Sequence, residues 1–180
     1  MLSNISRTYW LITTFKKSPE HSPKSLLIMI ILATFFWLLI GMQWLTGDVI
    51  ASKNITDGLL AGGLYIFVSA CYTYLLVKAL NFSNRFIQTI TSIYAAHIII
   101  HLLALPLVLV SPWILAGHLP NAVMLITGIC YLLFTLSLTT WQLLVTAHIY
   151  KHALSIKFLS AMLASFGLIA CNILVVSLWK

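Results

Sequence analysis

The sequence predicts an all-α fold, a polytopic transmembrane helical bundle of five spans preceded by a short interfacial amphipathic helix. Three observations carry that prediction. Of 180 residues, 61% are hydrophobic and only 7% charged, with mean hydropathy +1.03. Soluble domains carry about 25% charged residues, so this chain lacks the charge to cover a water-facing surface. Five apolar runs each reach the roughly 20 residues needed to cross about 30 Å of hydrocarbon. The basic residues alternate between the ends of those runs in the manner of a multi-pass protein. Strands are excluded because the runs are continuous rather than alternating, and an open sheet leaves its backbone unsatisfied in lipid.

The chain divides into an N-terminal segment, residues 1–24, and a five-helix membrane domain, residues 25–180. Leu2, Ile5, Tyr9, Ile12 and Phe15 recur every three or four residues and share one helical face, while Ser3, Arg7 and Thr14 lie elsewhere. That pattern predicts a short helix lying on the cytoplasmic leaflet. "KKSPEHSPKS", Lys16 to Ser25, breaks it with two prolines. The spans are expected at about 26–45, 59–80, 86–110, 122–147 and 158–179. "SPW" at Ser111 to Trp113 and "HLP" at His118 to Pro120 mark a short turn between the third and fourth. The first fifteen residues are interrupted by Asn4, Ser6, Arg7 and Thr8. They form no continuous signal-peptide core, so the first span is expected to act as an uncleaved anchor.

Orientation follows from the charges. Arg7, Lys16, Lys17, Lys24, Lys78, Arg85, Lys151 and Lys157 fall on one side of a five-span chain. Only Lys53 and Lys180 fall on the other, with Asp48 and Asp57. The N-terminus is therefore expected in the cytoplasm and the C-terminus outside. Trp44, Trp113 and Trp179 fall at the outer ends of spans one, three and five, where an aromatic belt is expected; Lys16, Lys17, Arg85 and Lys151 are the matching basic contacts at the inner interface. The net charge of +7 is explained by this topology, and no soluble basic module is present to bind nucleic acid.

The chemistry on offer is sparse. Cys71, Cys130 and Cys171 lie inside apolar runs without a CxxC spacing and read as packing residues. The only side-chain carboxylates, Glu20, Asp48 and Asp57, lie outside the spans. No buried acid–base pair or intramembrane carboxylate exists for acid–base catalysis or ion coupling. Ser69, Ser92 and Ser137 lie in or near spans but in no GxSxG context. No catalytic residue, metal site or cofactor is therefore expected.

The histidines are the remaining candidates. His97 and His101 sit four apart, roughly 16 and 22 Å into the third span at about 1.5 Å per residue. With Thr91, Tyr94 and Ala104 they form one polar face, expected to look into the bundle because an unpaired imidazole in lipid is costly. His148 and His152 repeat the spacing at the inner end of the fourth span, too shallow to complete a site with the first pair. No other span holds a histidine, so a bis-histidine haem would need a second copy of the chain. With no carboxylate in the membrane to pair with a charged imidazole, His97 and His101 are expected as neutral structural donors across helices.

Packing signals are clearer. Ser160, Ala164, Gly167 and Cys171 form a small-residue stripe on the fifth span, and Gly58, Gly62 and Gly63 do so on the second. Such stripes let helices approach closely, within the bundle or against a partner or second copy.

Two patches carry a family resemblance. "SPEHSPKSLLIMIILATFFWLLIG" and "TTWQLLVTAHIYKHALSIKF", with five spans and very short loops, resemble small bacterial members of the Yip-type membrane proteins. The resemblance implies a multi-pass protein whose bacterial look-alikes have no established activity, and the reading adopted is a non-enzymatic protein of the bacterial inner (plasma) membrane that organises or assembles a membrane partner. Eukaryotic relatives bind small GTPases through cytoplasmic N-terminal regions, whereas only about 24 residues precede the first span here. No functional residue carries over. The alternative is a small histidine-dependent carrier or a haem-binding electron-transfer subunit using His97 and His101.

Overall fold

The computed structural model describes residues 2–47, 55–115 and 121–178. Six α-helices follow in order: α1 (Leu2–Thr13), α2 (Leu26–Gly47), α3 (Ile55–Ala79), α4 (Phe86–Leu115), α5 (Asn121–Ala153) and α6 (Phe158–Leu178). Single 3₁₀ turns at Pro19–His21 and Ser83–Arg85 precede α2 and α4. The described residues contain no strand, and five helices, α2 to α6, are long and apolar enough to cross a membrane. At 1.5 Å per residue the 30-residue α4 and 33-residue α5 are about 45 and 50 Å long, well beyond the hydrocarbon thickness.

The five long helices close into a ring in the order α2, α4, α5, α6, α3, with α3 also reaching α4. Short connections make chain neighbours antiparallel. One end of the bundle, here the basal end, holds the starts of α2, α4 and α6 and the finishes of α3 and α5; the other end is distal. The three helices that finish there, α1, α3 and α5, are each followed by a left-handed residue, Phe15 (φ 62°), Asn81 (φ 64°) and Ser155 (φ 54°). The backbone then folds back onto the last turn, as when Phe82 N–H donates to Val77 O at 2.7 Å. Of the three, Asn tolerates this conformation most readily; Phe15 and Ser155 are held in it by the turns around them.

The α2–α3 seam shows why glycine stands where it does. A Cβ on Gly58 would sit 3.2 Å from Gly41 O, and one on Gly62 would sit 3.1 Å from the Trp37 ring. Trp37 Nε1 donates to Leu59 O across this seam at 2.7 Å. The glycines of the second span thus serve packing inside the bundle.

Several expectations change. The third span does not stop at Val110, and Pro106 and Pro112 both lie within α4. Proline at 112 removes the N–H that would serve Val108 O, and Ser111 Oγ donates to that carbonyl instead, at 2.9 Å. The N-terminal helix forms, but it packs on α4 and α5. Tyr9, Ile12 and Thr13 are buried, so the apolar face meets protein. Phe15 is exposed because the helix ends before it and the chain turns. The side chain of Leu2 lies outside the described residues.

The small-residue stripe of α6 is rotated from its expected line. Ala161, Ala164, Ser165, Leu168 and Asn172 are buried, and Ser160 is exposed in the first turn. The reason is that α6 lies between α3 and α5, so its buried face splits the angle between them. Gly167 and Cys171 are half-buried on the α3 side. There Tyr72 Oη donates to Ala164 O at 2.9 Å and would lie 2.3 Å from a Cβ on Gly167.

Candidate functional site

A chain of polar side chains crosses the middle of the bundle. His97 is buried on α4, and its Nε2 lies 3.0 Å from Thr146 Oγ1 on α5. The Thr146 hydroxyl already donates to Gln142 O at 2.8 Å, so Nε2–H of His97 is the donor. His97 Nδ1 then accepts from Gln142 Nε2 at 3.5 Å, and the same amide donates to Tyr65 Oη at 3.3 Å. On the far side Asn172 Nδ2 donates to Ser69 Oγ at 3.1 Å, and the Ser69 hydroxyl donates to Tyr65 O at 2.8 Å.

His101, one turn further along, is held differently. Gln43 Nε2 donates to His101 O at 2.9 Å, which leaves Gln43 Oε1 to accept from His101 Nδ1–H at 2.7 Å. The two histidines thus carry their protons on opposite nitrogens, each tautomer set by its partners. Phe36 sits edge-on to both rings, with centroids 5.9 Å and 5.4 Å away. His97 has both nitrogens engaged, whereas His101 Nε2 meets no protein group among the described residues. Tyr9 Oη is the one buried side-chain polar atom there without a partner, so His101 Nε2 is reachable from open space.

That space is an open cavity of about 340 Å³ to which all five long helices contribute, through Trp44, Tyr65, His101, Thr139, Gln142 and Asn172. Ile169, Ile173 and Ser177 complete its wall. A groove of about 180 Å³ between the distal parts of α4 and α5 shares His101, Thr139 and Gln142 with it. None of the described lining residues is Asp, Glu, Lys or Arg. Convergent polar groups in a largely apolar cleft are the usual form of a small-molecule site.

The basal end holds a second polar cluster, built around an ion pair. Arg85 Nη1 pairs with Glu20 at 2.8 Å and donates to the last carbonyls of α5, His152 O at 3.3 Å and Ala153 O at 3.1 Å. Gln88 Nε2 donates to Ser22 O at 2.9 Å and Ser92 Oγ to Ser22 Oγ at 3.3 Å. His148 Nε2 donates to Lys17 O at 3.2 Å, and Trp141 Nε1 to Thr13 O at 3.1 Å. Residues 13–22 are therefore fastened to α4 and α5 largely through their own carbonyls. Burial pushes the Tyr9 phenol up to about 12.

Among the residues singled out in the sequence, His97 and His101 come together with Gln142, whereas His148 and His152 pair with each other, ring centroids 4.6 Å apart, at the basal end. No group of three His, Cys, Asp or Glu among the described residues is placed to hold a metal. Trp44 lines the cavity and packs on Gly58, while the Trp113 side chain and Trp179 lie outside the described residues. Lys16 and Lys151 are exposed, Lys17 Nζ donates to Thr8 Oγ1 at 3.4 Å, and Arg85 is a clasp within the protein. The sequence reading passed over Gln43, Tyr65, Gln142, Thr146 and Asn172. Their signal was an uncharged amide or hydroxyl inside an apolar run, which matters in a membrane as much as an ionisable group does.

Fold and site together define a class: a helical bundle with five membrane-length apolar helices around an uncharged polar cavity. No protein-family model matches the chain, and neither a curated protein nor a solved structure matches it.

Proposed function

We propose that this is a non-enzymatic membrane protein that binds a small uncharged molecule in the cavity between its five long helices. The observation that carries the reading is His101. Its Nδ1 is fixed by Gln43, and its Nε2 is left open toward a cleft to which every long helix contributes. A group that only held helices together would have both nitrogens engaged, as His97 does. The test is native mass spectrometry of the protein extracted into lipid nanodiscs. The wild type should carry a bound small molecule that Ile173→Trp, which fills the cavity from an exposed position, loses. An unchanged bound complement in Ile173→Trp would sink the reading.

The basal end faces the cytoplasm in this reading. Lys16, Lys17, Lys24, Lys78, Arg85, Lys151 and Lys157 all stand there, which supports an N-in, C-out chain in the bacterial inner membrane. A reporter active only outside the cytoplasm should work when fused after Lys180 and be silent after Asn81; the reverse pattern would invert the protein.

A second reading follows the resemblance to Yip-type proteins, in which the chain organises or assembles a membrane partner. It draws on the distal half of α5, where no described side chain from Ala122 to Thr140 is buried. Cross-linking in native membranes with identification of the captured protein tests it.

A further inference from the structure

We infer that the occupant of the cavity is an uncharged, hydroxyl-bearing lipid with an acyl chain. Its head donates to His101 Nε2 and its chain lies in the groove between the distal halves of α4 and α5. The inference rests on the proposed reading of the cavity as a binding site and adds the chemical class of the ligand.

Three features select that class. First, none of the described residues lining cavity or groove is charged. A phosphate or ammonium head would be stripped of water with no counter-charge to meet it, which is strongly unfavourable. Second, the open nitrogen of His101 accepts rather than donates. Gln43 Oε1 can only accept, so it holds the ring proton on Nδ1, and Nε2 of the neutral ring presents a lone pair. The ligand must bring a donor, and an uncharged head supplies one as a hydroxyl. Gln142 and Thr139, which line both compartments, spend their own N–H and O–H groups inside the protein, on His97, Tyr65 and Thr135 O, and so add acceptors for hydroxyls rather than donors.

Third, the cavity does not end at the polar groups. At His101, Thr139 and Gln142 it runs into the groove, whose further wall is mostly apolar, with Leu107, Val108 and Leu138 beside Tyr131 and Thr135. Exposed apolar side chains such as Leu103, Leu109, Phe134 and Leu136 lie on the same two helix segments. In a bilayer this stretch lies among lipid tails, so the groove is an opening from the polar cavity to the lipid. Its 180 Å³ is room for a short run of methylenes from an acyl chain. A freely soluble polar solute would leave that apolar surface empty, whereas a chain buries it.

The probe is a monoacylglycerol with a diazirine near the end of its acyl chain, photolysed with the protein in phosphatidylcholine nanodiscs and mapped by peptide mass spectrometry. Adducts should concentrate on the α4–α5 groove. Labelling should fall about tenfold when the head hydroxyls are methylated, as expected for one lost hydrogen bond. It should also fall in Leu138→Trp and Leu107→Trp, which fill the groove from half-buried positions and should leave the thermal melt unchanged. Equal groove labelling by lysophosphatidate with the same chain would overturn the uncharged head. Labelling spread evenly over the lipid-facing helices and indifferent to both tryptophans would overturn the chain site. In that last case a small molecule still lost from Ile173→Trp leaves the binding reading standing, whereas its absence removes both.

Discussion

The basal and distal halves of the α4–α5 hairpin are both rich in apolar residues and live in different surroundings. In the basal half Ile90, Ile93, Val145, Ile149 and Tyr150 are fully buried. In the distal half Leu103, Leu109, Leu125, Leu132 and Phe134 are exposed. Apolar side chains alone do not separate them, since leucine, isoleucine and phenylalanine suit lipid as well as a protein core. The difference is what covers them. Basally, α1 and the Pro19–His21 turn lie over α4 and α5. Distally, the two helices run on, as they must given their lengths, and expose their outer faces. Lipid is a good enough solvent for apolar side chains that a membrane helix needs no protein cover, so burial here marks specific packing rather than hydrophobicity.

The comparison can be broken most directly at its apolar contacts. Ile12→Ala should cost about 2–5 kcal/mol of stability, the usual penalty for emptying a sealed core position. Leu132→Ala, a change of similar size on the distal hairpin, should stay within about 0.5 kcal/mol. Thermal melts in nanodiscs decide it, and equal losses at the two sites would mean that the distal half is packed against something in the membrane.

Glycine offers a second and smaller contrast. Gly167→Ala drives a methyl into Tyr72 Oη and should lose about 1–3 kcal/mol. Gly128→Ala meets nothing within 4 Å and should be neutral or gain up to about 1 kcal/mol from helix propensity. A loss at Gly128 comparable to that at Gly167 would reveal close packing on the distal part of α5.

The smallest effect sharpens the basal half. Tyr9 Oη is buried without a partner, so Tyr9→Phe removes an unsatisfied hydroxyl. Stability should hold or rise by up to about 1 kcal/mol. A clear loss would show that the hydroxyl finds a partner in the membrane, such as an ordered water or a lipid headgroup.

The sequence by itself determined the class of fold, because a 180-residue chain with 7% charged residues has only lipid as a solvent and only helices to satisfy its backbone there. It also determined the helix count and placed eight of the ten basic residues at one end, since both follow from local composition and chain order. It raised the right question at His97 and His101, because two imidazoles inside an apolar run need partners. Tertiary structure decided which partners. Gln43 lies 58 residues from His101 and Thr146 lies 49 from His97, and no periodicity along one helix reports which helices meet. The same holds for α1, whose apolar stripe fits a lipid surface and a protein surface equally well until α4 and α5 are in place. It holds for Ser160 too, since the buried face of α6 depends on two neighbours at once. Local chemistry fixes what a segment needs, and only the packing of distant segments fixes what it gets.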